Sequence, residues 1–261
     1  MKRMRFLVIG LLLAAGILFS QILQWSVVGL APDLREQERS ATQKVPRQSY
    51  SGTLYFGSDE KEDPKRAWFV WLRQDGTGSL YLPPGTEPLK NVKFSQKGHI
   101  SFSAESFDVR YEFSGSLENG SIRGEFHIMP PVAPQTRQGL TLRPVALPVQ
   151  GSNDWQRSGL FSNAAVNDQS GDLNGVEMLV VVTGKTIVGS HTDFQEEFSP
   201  SALGDVTATA EGFRFRLNRA RPDGWHLAAY QDNALLIRPD DVRNRKTMIL
   251  RKRESLDTAF R

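Results

Sequence analysis

Cysteine is absent from the 261 residues. That absence removes disulfide scaffolds, thiolate metal sites, cysteine nucleophiles and lipidation at a cysteine. Histidine is scarce, with four in all. His99, His127, His191 and His226 are spread without a pair at metal-ligand spacing, so they read as sheet or surface histidines. Charge bias is missing too. Lys2, Arg3 and Arg5 supply +3 and the formal net charge of the chain is +3, so residues 6–261 sum to zero. A neutral body gives no electrostatic footprint for nucleic acid. One local run is basic: Arg238, Arg243, Arg245, Lys246, Arg251, Lys252 and Arg253, diluted by Asp240 and Asp241. It reads as the charged outer face of a hairpin, with contact to lipid headgroups or an acidic polymer as the sharper alternative.

Charge is also missing from the whole stretch between Arg5 and Asp33. Phe6 to Phe19 is unbroken apolar sequence, and SVVGLA resumes after Ser20, Gln21 and Gln24. A helix rises about 1.5 Å per residue, so the uncharged stretch can cross a hydrocarbon core of roughly 30 Å. Trp25 suits the membrane–water interface. Residues 1–31 are therefore expected to be a signal-anchor forming one transmembrane helix. A cleaved secretory signal is the alternative, giving a secreted or periplasmic protein. It is disfavoured because Pro32 would follow a cut after Gly29-Leu30-Ala31. The basic residues precede the apolar run, so the positive-inside rule keeps the N-terminus cytoplasmic and the body extracytoplasmic. Residues 32–47 are polar and charged and read as a stalk.

From about Gln48 the pattern changes to period two. AWFVWLRQ, GSLYLP, NVKFSQ, HISFSA, VRYEFSGSL, SIRGEFHIM and LTLRPV follow one another. Turn signals at Asp75-Gly76, Lys97-Gly98 and Asn119-Gly120 separate them, and such pairs suit tight hairpins because they tolerate positive φ. ALPVQGSNDW then reads as a linker, and a second series begins near Gln156. The expectation is an all-β chain with two similar antiparallel barrel or sandwich domains, residues 48–146 and 156–253, joined by 147–155 and followed by a tail, 254–261.

The two series match at several points. Ser51-Gly52-Thr53-Leu54 parallels Ser158-Gly159-Leu160-Phe161, and Val92…Gly98 parallels Val206…Gly212. Tyr111-Glu112-Phe113 parallels Trp225-His226-Leu227, and Leu140–Arg143 parallels Met248–Arg251. An internal duplication is expected, with Tyr111 and Trp225 as equivalent core positions. Each half, from its SG-x-L start to its L-x-L-R close, resembles small lipocalin-like (calycin) barrels. The G-x-W of true lipocalins is missing, since Gly224-Trp225 is adjacent and late in the chain.

Motifs with chemical meaning dissolve on inspection. VVVTGKT places Gly184-Lys185-Thr186 after a strand, but Leu179 stands where a phosphate-binding loop needs its first glycine. A hairpin turn is expected there. Asn167–Glu177 clusters oxygen ligands, but counting from Ser170 the twelfth position of an EF-hand loop is Val181. Asp and Asn beside Gly are what turns need. Ser190, His191 and Asp193 are neighbours in sequence, whereas a hydrolytic triad converges across a fold. Glu177, Asp193, Glu196 and Glu197 leave a glycosidase-like pair as the enzymatic alternative.

The remaining candidates are Trp68 and Trp71. Two residues three apart on a strand face opposite sides. One belongs in a core, and the other at an interface between the halves or in a ligand mouth. The sequence thus points to a membrane-anchored, extracytoplasmic β-protein that binds a small or apolar ligand, without catalysis or cofactor. The alternatives are an envelope scaffold that contacts a partner protein and a glycan- or lipid-active hydrolase.

Overall fold

A computed structural model describes residues 52–59, 66–195, 197–217, 224–240 and 247–260. The expected anchor (1–31) and stalk (32–47) lie outside the described residues, as do Glu196, Arg243, Arg245 and Lys246. No helix among the described residues is long and apolar enough to cross a membrane.

The chain is all-β and carries two barrel-like sheets. The first comprises β1 (Gly52–Ser58), β2 (Ala67–Arg73), β3 (Gly78–Leu82), β4 (Gly85–Pro88), β5 (Lys90–Phe94), β6 (His99–Ser106), β7 (Val109–Glu118), β8 (Ser121–Met129) and β9 (Thr136–Val145). The order β4-β3-β2-β1-β9-β8-β7-β6-β5 brings the first strand beside the last. The two edge strands, β4 and β5, are separated only by Leu89, so one bent strand completes the circuit.

A short helix, α1 (Asn153–Arg157), capped by the Ser152 hydroxyl, leads to the second sheet. That sheet is a closed barrel of β10 (Gly159–Ser162), β13 (Val176–Thr183), β14 (Thr186–Asp193), β15 (Glu197–Ala208), β16 (Gly212–Leu217), β17 (His226–Gln231), β18 (Ala234–Pro239) and β19 (Met248–Glu254). A two-stranded hairpin, β11 (Ala165–Val166) and β12 (Leu173–Asn174), projects between β10 and β13. A final turn of helix, α2, spans Leu256–Ala259.

Both barrels follow one plan. Each runs through antiparallel neighbours, and its first strand pairs with its last. Gly52 and Gly159 open equivalent strands, and β9 and β19 close them. Turn register corrects one detail of the repeat. Asn119-Gly120 links β7 to β8, and Asp232-Asn233 links β17 to β18. Counted back from these turns, Tyr111 aligns with Gly224, one residue before Trp225. A one-residue slip reverses the face. Trp225 accordingly packs beneath Arg214 and Arg216, whose guanidinium carbons lie 4.1 and 4.5 Å from its ring centroid. Tyr111 packs against the first core.

The barrels are filled. Trp68, Phe102, Phe113, Phe126, Ile122 and Leu142 occupy the first, with the Trp68 and Phe126 rings stacked 3.9 Å apart. Phe161, Met178, Phe213, Phe215, Leu235 and Leu250 occupy the second. A third cluster lies between them: Leu54, Phe69, Trp71 and Tyr81 meet Leu160, Leu179, Val181, Leu256 and Phe260. That seam explains two sequence runs lacking strict alternation. In β2, Trp68, Val70 and Leu72 face the first interior while Ala67, Phe69 and Trp71 face the seam. In β13, Val176, Met178, Val180 and Val182 face the second interior while Leu179 and Val181 face the seam. Strands buried on both faces read as continuous apolar runs.

Candidate apolar pocket and buried polar cluster

A cavity of about 610 Å³ opens where the mouth of the first barrel meets loops of the second. The first barrel contributes Arg66, Ala67 and Trp68 around the start of β2, Leu82, Pro83 and Pro84 after β3, and Phe107, Val109 and Tyr111 around the β6–β7 turn. The second contributes Val166, Asp172 and Leu173 from the β11–β12 hairpin and Ser199 and Pro200 from β15. Small-ligand sites span about 300–1,000 Å³ and are mostly apolar with a few polar groups. The lining here is of that kind.

Polar groups gather on one side. An isolated bridge between Arg66 and Ser201 ties the barrels together. The Arg66 guanidinium donates to Ser199 Oγ and lies 5.6 Å from the Trp68 ring centroid. Tyr111 meets the Trp68 ring edge-on at 6.1 Å. Burial pushes the Tyr111 phenol up, and the Arg66 charge pulls it partly back.

The β6–β7 turn is unusual. Phe107 and Asp108 take φ of 50° and 62°. Asn119-Gly120 fills the corresponding turn of the next hairpin at φ of 52° and 81°, with residues suited to that region. A bulky residue there is strained. Phe107 is nevertheless 72% exposed at the pocket rim, so no core packing repays the strain. Val166 is also exposed at the rim.

Of the two tryptophans singled out by sequence, Trp68 lies in the first core with part of its surface on the pocket, and Trp71 lies in the seam, stacked 5.9 Å from Phe260. The structure does not bring them together. Arg66, Phe107 and Tyr111 were not legible as site residues. The one available signal was Phe-Asp at a position where hairpins favour Asn-Gly.

The other motifs resolve into turns and pairs. Gly184-Lys185 forms the β13–β14 hairpin turn, with Gly184 at φ 60°. Asn167 Oδ1 accepts from the Gln169 and Ser170 amides, holding the β11–β12 turn. His226 stacks on Phe215, and His127 lies 3.9 Å from Glu125. Among the described residues, no group of three or more His, Asp or Glu is placed to hold a metal ion.

Glu177 does not line an open cleft. It is 0% exposed and sits on the seam face of β13. Its Oε1 accepts from Tyr81 Oη at 2.8 Å. Its Oε2 has no hydrogen-bond partner among the described residues. The Ser190 and Thr192 hydroxyls approach Tyr81 from β14 without completing a good hydrogen bond. The Glu177 carboxyl is thus sealed within the seam.

The chain matches no protein-family model, no curated protein and no solved structure.

Proposed function

We propose that this protein is a membrane-anchored, extracytoplasmic binding protein that takes a small apolar ligand into the pocket between its barrels. The observation that carries the reading is that pocket: apolar walls from two barrels, a cation at one side, and a strained, exposed phenylalanine at the rim. The interiors of both barrels are packed with side chains, and the ligand sits in the mouth of the first, against Trp68, Val109 and Tyr111. The anchor fits the uncharged run from Phe6 to Pro32.

The test is binding of a neutral apolar fluorophore such as N-phenylnaphthylamine to the full-length chain. Leu173, half-buried at the pocket wall, is replaced by arginine. A buried charge strongly disfavours an apolar occupant, so Leu173→Arg should weaken binding at least tenfold. Saturable binding unaffected by the substitution would place the ligand elsewhere, and no saturable binding by the wild type would refute the reading.

A second reading has its own observation. Phe107, Val166 and Val132, on the β8–β9 loop, all expose apolar side chains. They support docking of an envelope protein. In that case a partner, and not a small molecule, would be displaced by changes at Phe107 and Val132.

A further inference from the structure

We propose that Glu177 is a proton-operated latch between the two barrels: protonated, it lets the apolar seam close over it, and ionised, it loosens that seam. The inference is independent of the pocket's ligand.

The geometry is specific to a buried acid. Glu177 alternates with Leu179 and Val181, so it projects from the same strand face into the same cluster. Opposite stands Tyr81, itself buried, with its ring edge-on to Phe69 of β2 at 6.2 Å. Its hydrogen-bond partner and its same-face neighbours on the strand are therefore hydroxylic or apolar. β14 brings Ser190 and Thr192, Thr192 being paired with Glu177, and β10 brings Ser162, also paired with it. His191 and Asp193 pair with Met178 and Val176 and share their inward faces, away from the seam. The charges that reach Glu177 are Arg253 and Glu254 of β19. Neither Arg253 nor any other cation forms an ion pair with Glu177 among the described residues, so the carboxylate relies on a single hydroxyl.

An ionised carboxylate without a paired charge is costly to bury, and such groups stay neutral instead. Burial pushes the Glu177 carboxyl up to about 7, against the downward pull of the Tyr81 hydrogen bond and Arg253, with Glu254 adding a smaller upward push. The sign follows from linkage. The group titrates higher with the seam closed than with it open and solvated. Its contribution to closure is thus fully present below the ordinary carboxylate range and is lost as pH rises through about 7. At higher pH the seam carries a constant penalty. Because the same seam holds Trp71, Phe260 and the strand β2 that leads to Arg66, this one proton acts on the junction of the barrels.

The test is hydrogen exchange on the full-length chain across about pH 5 to 8, corrected for intrinsic rates. In the wild type, the opening equilibrium of β2, β3, β13 and β14 should rise on the order of a hundredfold across that range, while β7 and β8 stay flat. In Glu177→Gln, which mimics the neutral acid, the seam strands should lose this pH dependence. Tyr81→Phe supplies a second reading that does not depend on the glutamine variant folding. Removing the hydroxyl that favours the ionised form should move the transition to higher pH. Seam protection that is independent of pH in the wild type, an unchanged pH profile in Glu177→Gln, or a transition unmoved by Tyr81→Phe would each overturn the proposal.

Discussion

Phe107 concentrates the tension between stability and binding in one residue. A side chain in the left-handed region costs roughly 1–2 kcal/mol, and Asn is the residue other than Gly that tolerates it best. Phe107→Asn should therefore stabilise the chain by about 1 kcal/mol in thermal or denaturant unfolding. The same change removes an exposed aromatic from the pocket rim, so apolar probe affinity should fall. Stability that drops, or affinity that holds, would show that Phe107 is packed to the fold's advantage and does not serve the pocket. Trp225 gives the contrary lesson at the same scale. Its aromatic character fits a core, but the register places it outside, between two arginines and solvent. Composition cannot decide between the two faces of a strand; the turn two hairpin strands share does so.

β2 and β13 show how an element's sequence records both of its neighbours. Most strands here have one face toward a barrel interior and one toward solvent, and their alternation was readable directly. AWFVWLR and VEMLVVVT are apolar on both faces because each packs on its own barrel and on the seam. The broken alternation of AWFVWLR is visible in sequence, but sequence alone does not say what covers the second face of either strand. The consequence is measurable. Phe69 faces away from its own barrel yet is fully buried against Phe56 and Tyr81. Phe69→Ala should cost about 3–5 kcal/mol, as for a core aromatic. Ser101→Ala, on the outer face of β6, should change stability by no more than about 0.5 kcal/mol. Comparable small effects at both positions would mean the seam contributes little.

On the scale of the whole molecule, the all-β character and the two barrel-like sheets were legible from period-two runs and turn signals. The site was not, because it belongs to neither repeat. It arises where loops of one barrel cover the mouth of the other, bringing together residues as distant as Arg66 and Ser199. Glu177 was visible only as one carboxylate among many. What distinguishes it is the burial of the β-strand around it, a property of the assembled seam. The junction carries the apolar pocket of about 610 Å³, and the proposed function stands on ligand occupancy there.

Photolabelling tests that claim most directly. The full-length chain is irradiated with an alkyl diazirine probe and the modified peptides are mapped by mass spectrometry. The account predicts saturable labels on the segments around Trp68, Leu82–Pro84, Phe107–Tyr111 and Val166–Leu173, all lost in Leu173→Arg. Saturable labelling confined to the opposite end of the first barrel, around Phe94, His99 and Leu117, would contradict it.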